Sequence, residues 1–294
     1  MNNNDIRYFC VLADTLHYGK AAQILHITQP PLTRAIQRLE DELGVLLFKR
    51  NQRNVALTPA GEYMKRKGDA LFAELTELVK EVRKIDKGKS GQLHITSVGS
   101  IVPKVIEYIG VFINRYPDVN IRLSQYTTTE QLKLIKSGVA DIAFIRCPTS
   151  SEGLHLQSIY DEIFVLVTPR IFKQQIKKAD DLQRLTGMPY ISFPREYGKG
   201  TFDKIISLCN AGGYSPDIKY EPYQLDTAIR MVEVGLGITI VPKGSLNGVA
   251  ANVNVYELDF MPQRSVVSCC YNVNQENPIL NNFLKEFMGQ RTNH

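Results

Sequence analysis

The chain lacks the marks of secretion and of membrane insertion. No apolar run approaches the roughly 18 residues that a spanning helix needs, and the polar N-terminus carries no apolar signal-peptide stretch. A cytoplasmic location without membrane contact is expected. Cysteine is sparse. Cys10, Cys147, Cys209, Cys269 and Cys270 form no CxxC pair and no zinc spacing with the five histidines, so reduced, structural thiols and no metal are expected. Cys269 and Cys270 are neighbours on an expected strand and should point to opposite faces. Cys147 follows Arg146, whose charge favours a thiolate, but no resolving partner for a redox switch is evident. No Ser–His–Asp set can be assembled, and His94 and His155 fall in or beside expected strands as structural residues. The GxG at 235–237 lacks the rest of a dinucleotide fingerprint. Neither a catalytic residue nor a cofactor is therefore expected.

What is present is enough chain for about two domains, at 294 residues with 44% hydrophobic content. The net charge of +5 is unevenly placed. Residues 1–90 hold 15 Lys/Arg against 11 Asp/Glu, and residues 91–294 hold 20 against 19. The excess positive charge lies at the N-terminal end, as phosphate neutralisation would require.

That end reads as a helix-turn-helix with a basic wing. A first helix at 5–16 has Ile6, Phe9, Cys10, Ala13 and Leu16 as its inner stripe. A short helix follows with Ala21 and Ala22, small enough for close helix approach, then a turn at His26 and Ile27. Thr28 stands at an N-cap, its hydroxyl expected to accept from a free N–H, and Pro30 and Pro31 occupy the first turn. The second helix should bury Leu32, Ile36, Leu39 and Leu43 and present Gln29, Thr33, Arg34, Gln37 and Arg38. Donor-rich side chains at that helix start suit the major groove, and Pro30 and Pro31 suit a thymine methyl. Short strands at 45–48 and 54–57 flank a basic turn whose Lys49, Arg50 and Arg53 can reach phosphates.

The whole string, AA--L--TQPPL-R-I--LE-ELG--LF-R followed by LTPAGE at 57–62, resembles the LysR-type transcriptional regulators. The motif is closest to members that sense acids from aromatic breakdown. The resemblance implies DNA contact by Thr28, Gln29, Pro31, Thr33 and Arg34. It also implies a dimer of dimers on an interrupted palindromic promoter site, autoregulation, and activation of a neighbouring operon, with RNA polymerase as a further partner.

Thr58 and Pro59 start a helix expected to run to about Ile85. Met64, Leu71, Leu75, Leu78, Val82 and Ile85 form a coiled-coil seam after the first heptad step, on a rod of about 40 Å. The Gly-, Ser- and Lys-containing run at 84–92 reads as a hinge. The domains expected are a winged helix-turn-helix at 1–58, a linker helix and hinge at 59–88, and an effector domain at 89–294.

From 93 onward strands and helices alternate. Strands at 93–98, 119–125 and 141–145, with helices at 103–116 and 130–137, predict a parallel sheet. Strands at 163–168, 190–193, 218–223 and 238–241, with helices at 201–211 and 225–234, predict a second lobe. The strand at 266–271 and helix at 278–288 return to the first. The expected fold class is thus α/β: a winged helix-turn-helix, a long linker helix, and a two-lobed domain. In that domain lobe 1 is 89–162 with 266–294, and lobe 2 is 163–265. The resemblance gives the pair the architecture of a periplasmic binding protein.

Ligands in such sheets sit beyond the strand ends, against helix starts. The stretch from Ser97 to Ser100, the threonines Thr127, Thr128 and Thr129, and Arg146 meet that rule and would converge on an anion, best a carboxylate. The resemblance aligns Ser100, Thr128 and Arg146 with effector contacts. Phe193 and Pro194 are expected to face the cleft from lobe 2. The function expected is a ligand-responsive, sequence-specific DNA-binding regulator that senses a small organic acid, aromatic or dicarboxylic. An enzyme using the cleft, or a solute-binding protein with an incidental DNA-binding domain, is the alternative.

Overall fold

The computed structural model describes residues 2–50, 55–150, 153–247 and 252–291, with the backbone alone at Arg50, Gln290 and Arg291. The chain forms two compact units, residues 1–83 and 84–294.

The first unit opens with α1 (Asn3–Thr15), capped by the Asn2 side chain, which accepts from the Asn4 N–H. Then come α2 (Tyr18–Ile24) and α3 (Gln29–Leu43), a hairpin of β1 (Phe48–Arg50) and β2 (Val55–Leu57), and α4 (Pro59–Asp86). Phe9, Leu12, Ala21, Leu32, Ile36, Leu39 and Phe48 form its core, with the Phe9 and Phe48 rings 5.3 Å apart. Gly61 and Gly68 let α4 approach closely. A Cβ at Gly61 would lie 2.2 Å from the Leu47 carbonyl oxygen, and one at Gly68 would lie 2.6 Å from Cys10 Sγ.

Three expectations here need correction. Leu16 is not on the inner stripe: it ends α1 in the left-handed region and is 43% exposed. Leu43 is 40% exposed at the end of α3, where Gly44 stops the helix. Thr28 stands at the N-cap of α3 but makes no capping hydrogen bond. The reason is chemical. A capping oxygen takes the N–H of the second or third helical residue, and those residues are Pro30 and Pro31, which have none. By contrast, the Thr58 hydroxyl caps α4 by accepting from the Gly61 N–H at 2.9 Å.

The second unit contains β3 (Ser90–Ser97), α5 (Val102–Arg115), β4 (Asp118–Gln125), α6 (Thr128–Lys136), β5 (Ile142–Arg146) and β6 (His155–Glu162). It continues with β7 (Phe164–Pro169), β8 (Pro189–Ile191), α7 (Lys199–Ala211), β9 (Asp217–Tyr220), α8 (Leu225–Glu233) and β10 (Thr239–Pro242). Last come β11 (Val253–Glu257), β12 (Ser265–Tyr271) and α9 (Pro278–Arg291). One sheet has the order β4-β3-β5-β12-β6, parallel across β4, β3 and β5 and antiparallel where β12 joins. The other places β7 between β10 and β11, both antiparallel to it. A parallel bridge from Tyr190 to Ile238 links in the parallel β8–β9 pair. The architecture is therefore the two-lobed α/β domain that the alternating pattern predicts. Strands β6 and β11 were not expected. β6 is largely half-exposed and lacks the apolar alternation of a buried strand, and in β11 the alternation is confined to Val253, Asn254 and Val255.

Each lobe has its own core. Leu93, Ile95, Phe112, Phe144, Phe283 and Phe287 fill the first; Phe164, Leu166, Tyr190, Leu208 and Ile240 are among those filling the second. Only Ile163 separates β6 from β7, so the chain passes directly from one sheet to the other, and β12 returns it. Cys269 packs in the first core and Cys270 on the opposite face of the sheet. All five cysteines are buried free thiols. Burial raises the thiol pKa to about 11 at Cys10, about 12 at Cys209 and about 11 at Cys270.

Candidate functional site

The first unit offers an exposed polar ridge at the start of α3. Thr28, Gln29, Pro30, Pro31, Arg34, Gln37 and Arg38 are exposed, and Thr33 is half-buried. Their roles divide by what already holds them. The Thr33 hydroxyl donates to the Gln29 carbonyl at 3.1 Å. Arg38 makes a two-point ion pair with Asp5, at 2.6 and 3.1 Å. Asp5 is nearly buried in that pair whereas Arg38 is 62% exposed, so Arg38 first of all neutralises a carboxylate beneath it. Arg34 and Gln37 have no such partner among the described residues. Glu40, which the sequence did not mark, accepts from the backbone N–H groups of Leu47 (2.8 Å) and Phe48 (3.1 Å), tying α3 to the hairpin. Lys49 is exposed on β1. The expected phosphate contacts at Arg53 and at the Arg50 side chain lie outside the described residues.

The second unit holds a cleft of about 300 Å³ between its lobes. Ser100, Thr128 and Arg146 line it from the first lobe and Phe193 from the second, so four of the expected residues meet there. Three do not. Ser97 lies in the core and donates to the Val98 carbonyl at 3.0 Å. The Thr129 hydroxyl crosses to the other lobe and donates to the Glu196 carbonyl at 2.8 Å. Pro194 stands at the start of a short 3-10 turn and is not among the residues lining the cleft. Thr127 is committed to a capping box with Glu130, whose carboxylate also accepts from the Tyr223 hydroxyl of the second lobe at 3.1 Å. The backbone N–H of Thr127 is the main reason the Glu130 carboxyl stays below its ordinary range.

Arg146 is 3% exposed at the end of β5. Its Nε donates to Ser100 Oγ at 2.9 Å, and its Nη1 donates to Ser265 Oγ at 2.9 Å and to Glu162. A guanidinium has five N–H donors in a fixed fork. Three are thereby used, and the two on Nη2 are buried with no partner among the described residues. Because Ser100 accepts from Arg146, its own hydrogen is free to donate into the cleft. The sequence missed Glu162, Ser245 and Asp226. Asp226 Oδ1 and Ser245 Oγ, both from the second lobe, are likewise buried and unpartnered among the described residues, and both residues line the cleft. No motif marks them, because only the approach of the two lobes brings them to the cleft that Arg146 also lines.

No group of His, Cys, Asp or Glu that could hold a metal is found among the described residues. No described helix is long and apolar enough to cross a membrane.

Comparison with known proteins extends over both units. Residues 3–62 match the family model of the bacterial regulatory helix-turn-helix protein, lysR family, and residues 86–291 match that of the LysR substrate binding domain. The chain is 33% identical to the transcriptional regulator CatR of Pseudomonas putida, over 82% of this chain and 83% of that one. It is 28% identical to the transcriptional regulator AlsR of Bacillus subtilis, over 99% and 97%. In fold it is similar to the crystal structure of CbnR, a LysR family transcriptional regulator. The TM-score is 0.85, at 23% identity, covering 98% of this chain and all of that one. CbnR has also been crystallised full-length with its target DNA, with the same TM-score and identity.

Proposed function

Because the chain belongs to the LysR family of helix-turn-helix transcriptional regulators, we propose that it holds a promoter site through α3 and senses a small organic acid in the interlobe cleft. It is a DNA-binding regulator rather than an enzyme, as its matched relatives are named. Gln29, Arg34 and Gln37 read base edges, with Arg favouring guanine and Gln adenine. Thr28, Pro30, Pro31 and Thr33 shape the approach, and Arg38, Arg50 and Arg53 add positive charge toward phosphates.

The α4 seam supports a homodimer. Leu71, Leu78, Val82 and Ile85 on that helix are 39–58% exposed, too many apolar side chains for a rod left in water. A dimer matches two half-sites of an interrupted palindrome. The dimer of dimers and the contact with RNA polymerase rest on the family resemblance. A DNA target places the protein in the cytoplasm.

The observation that carries the effector reading is the pair of unpartnered Nη2 donors of Arg146 in the cleft wall. Buried donors without acceptors are costly, and a carboxylate would take both, with the Ser100 hydroxyl as a third. Closing the lobes on such a ligand shifts the protein between two arrangements only as far as the ligand favours one of them. Thermal-shift screening with small carboxylates tests this. A stabilised wild type, with no shift in Arg146→Ala paired with Glu162→Gln, is expected. Equal shifts in both proteins would contradict it.

A further inference from the structure

The cleft is selective beyond carboxylates in general, an inference that rests on reading it as the effector site. We propose that its ligand is a small monocarboxylic acid that also carries a hydrogen-bond donor, a hydroxyl or an ammonium, and that Asp226 receives that donor.

Three buried polar atoms on the cleft wall lack partners among the described residues, and they are not alike. Arg146 Nη2 can only donate, and Asp226 Oδ1, a carboxylate oxygen, accepts. Ser245 Oγ can do either. A ligand that satisfies the wall must present acceptors to the first lobe and a donor to the second. A simple monocarboxylate satisfies the first requirement and leaves Asp226 unpaired.

Charge excludes a second carboxylate. Arg146 and Asp226 are the charged residues among those lining the cleft. The positive charge of Arg146 is already matched by Glu162. A dianion would bring its second charge toward Asp226 with no cation to offset it, and like charges at close range in a partly dry site are strongly unfavourable. Of the aromatic or dicarboxylic acids expected from the sequence, the proposal favours those with a single carboxylate.

Arg146 and Ser100 come from lobe 1, and Asp226 and Ser245 from lobe 2. The amide oxygens of Gln125 and Gln224, one from each lobe, converge on Gly99, within 3.2 and 3.3 Å of where a Cβ would stand. A ligand spanning the gap would therefore engage both lobes at once, with Asp226 setting specificity rather than overall affinity.

Calorimetry on the full chain with propionate, lactate, alanine and malonate, and with their phenyl-bearing counterparts, tests the proposal. In one of the two size series, the hydroxy or amino acid should bind at least about tenfold tighter than the plain acid, and the diacid most weakly. Asp226→Ala should remove that advantage and improve diacid binding most, with plain acids still bound. Asp226→Asn, which keeps an accepting oxygen on a side chain of the same shape, should retain the hydroxy-acid preference and relieve the diacid. It serves as well if the alanine variant fails to fold. Diacid binding as tight as that of the donor-bearing acids, an unchanged preference in Asp226→Ala, or undiminished discrimination against the diacid in Asp226→Asn would overturn the proposal. Plain acids binding as well as donor-bearing ones would overturn it while leaving the acid site standing. No binding by any acid would overturn the acid site as well.

Discussion

Arg146 and Glu162 form a buried ion pair at the junction of the lobes, with the arginine side chain 3% exposed and the glutamate 14%. Glu162 ends β6, one residue before the chain crosses to the second lobe, and its other oxygen accepts from the backbone N–H of Gly244 there. Removing one partner of such a pair leaves an uncompensated buried charge, which costs about 3–5 kcal/mol. Glu162→Ala should lower unfolding stability by that amount in chemical denaturation, and Glu162→Gln by less. A loss below about 1 kcal/mol, the range of a surface pair, would mean that solvent reaches Arg146.

The two helix starts in the first unit should respond differently to the same change. Thr58→Ala removes a capping hydrogen bond and should cost about 1 kcal/mol of stability. Thr28→Ala removes none, since Pro30 and Pro31 offer no N–H, and should leave stability nearly unchanged. Equal losses in thermal melts of the two variants would contradict the cap assignment.

Arg34 and Arg38 lie one helical turn apart and should separate in the same way. Arg34→Ala should weaken binding to a promoter duplex by about 1–3 kcal/mol and relax sequence preference. Arg38→Ala should chiefly lower stability, because Asp5 is left buried without its cation. Anisotropy titrations and denaturation curves on both variants measure the two effects. A destabilised Arg34→Ala protein, or a fully stable Arg38→Ala protein, would reverse the roles.

A Cβ at Gly200, in α7 of lobe 2, would lie 1.8 Å from the carbonyl oxygen of Cys147 at the end of β5. Backbone cannot yield there as a flexible side chain would. Gly200→Ala should therefore force the lobes apart and weaken acid binding at least about tenfold, with the DNA-binding unit unaffected. Wild-type acid affinity in that variant would show that this contact does not set lobe closure.

Glu130 gives a pH dependence. Its carboxyl is held below the ordinary range, first by the Thr127 N–H and further by the Thr127 and Tyr223 hydroxyls. A depressed folded-state pKa contributes stability that is present above the unfolded value and lost as pH falls through the folded one. Glu130→Gln should lower the melting temperature at neutral and alkaline pH and meet the wild type at acid pH, so that the acid-side loss is flattened. Because the group is mostly exposed, the effect should be small. An acid limb identical to wild type would remove Glu130 from the account.

Much of this was legible in the sequence because it depends on local pattern. Leu32, Ile36 and Leu39 repeat at helical spacing and are fully buried, and Thr58-Pro59 marks a helix start through chemistry confined to a few residues. The alternation of strands and helices after Leu93 gave the two-lobed class. What failed depended on partners distant in sequence. Ser97 and Thr129 have the right residue types beside strand ends, but one turns into the core and the other reaches Glu196. Leu43 fits the helical stripe yet lies where α3 has run past the core. Asp226, Ser245 and Glu162 carry no local signal, and β6 is read only once β12 is seen pairing with it.

The most direct measurement is binding of the full-length protein to a duplex from its own upstream region and to a random duplex of equal length. Both should be titrated at several salt concentrations, with and without the acid that stabilises the cleft. The account predicts tighter, salt-sensitive retention of the upstream duplex and a change in that retention when the acid is added, a change that the Arg146→Ala, Glu162→Gln protein does not show. Equal affinity for the two duplexes, with the acid present or absent, would contradict it.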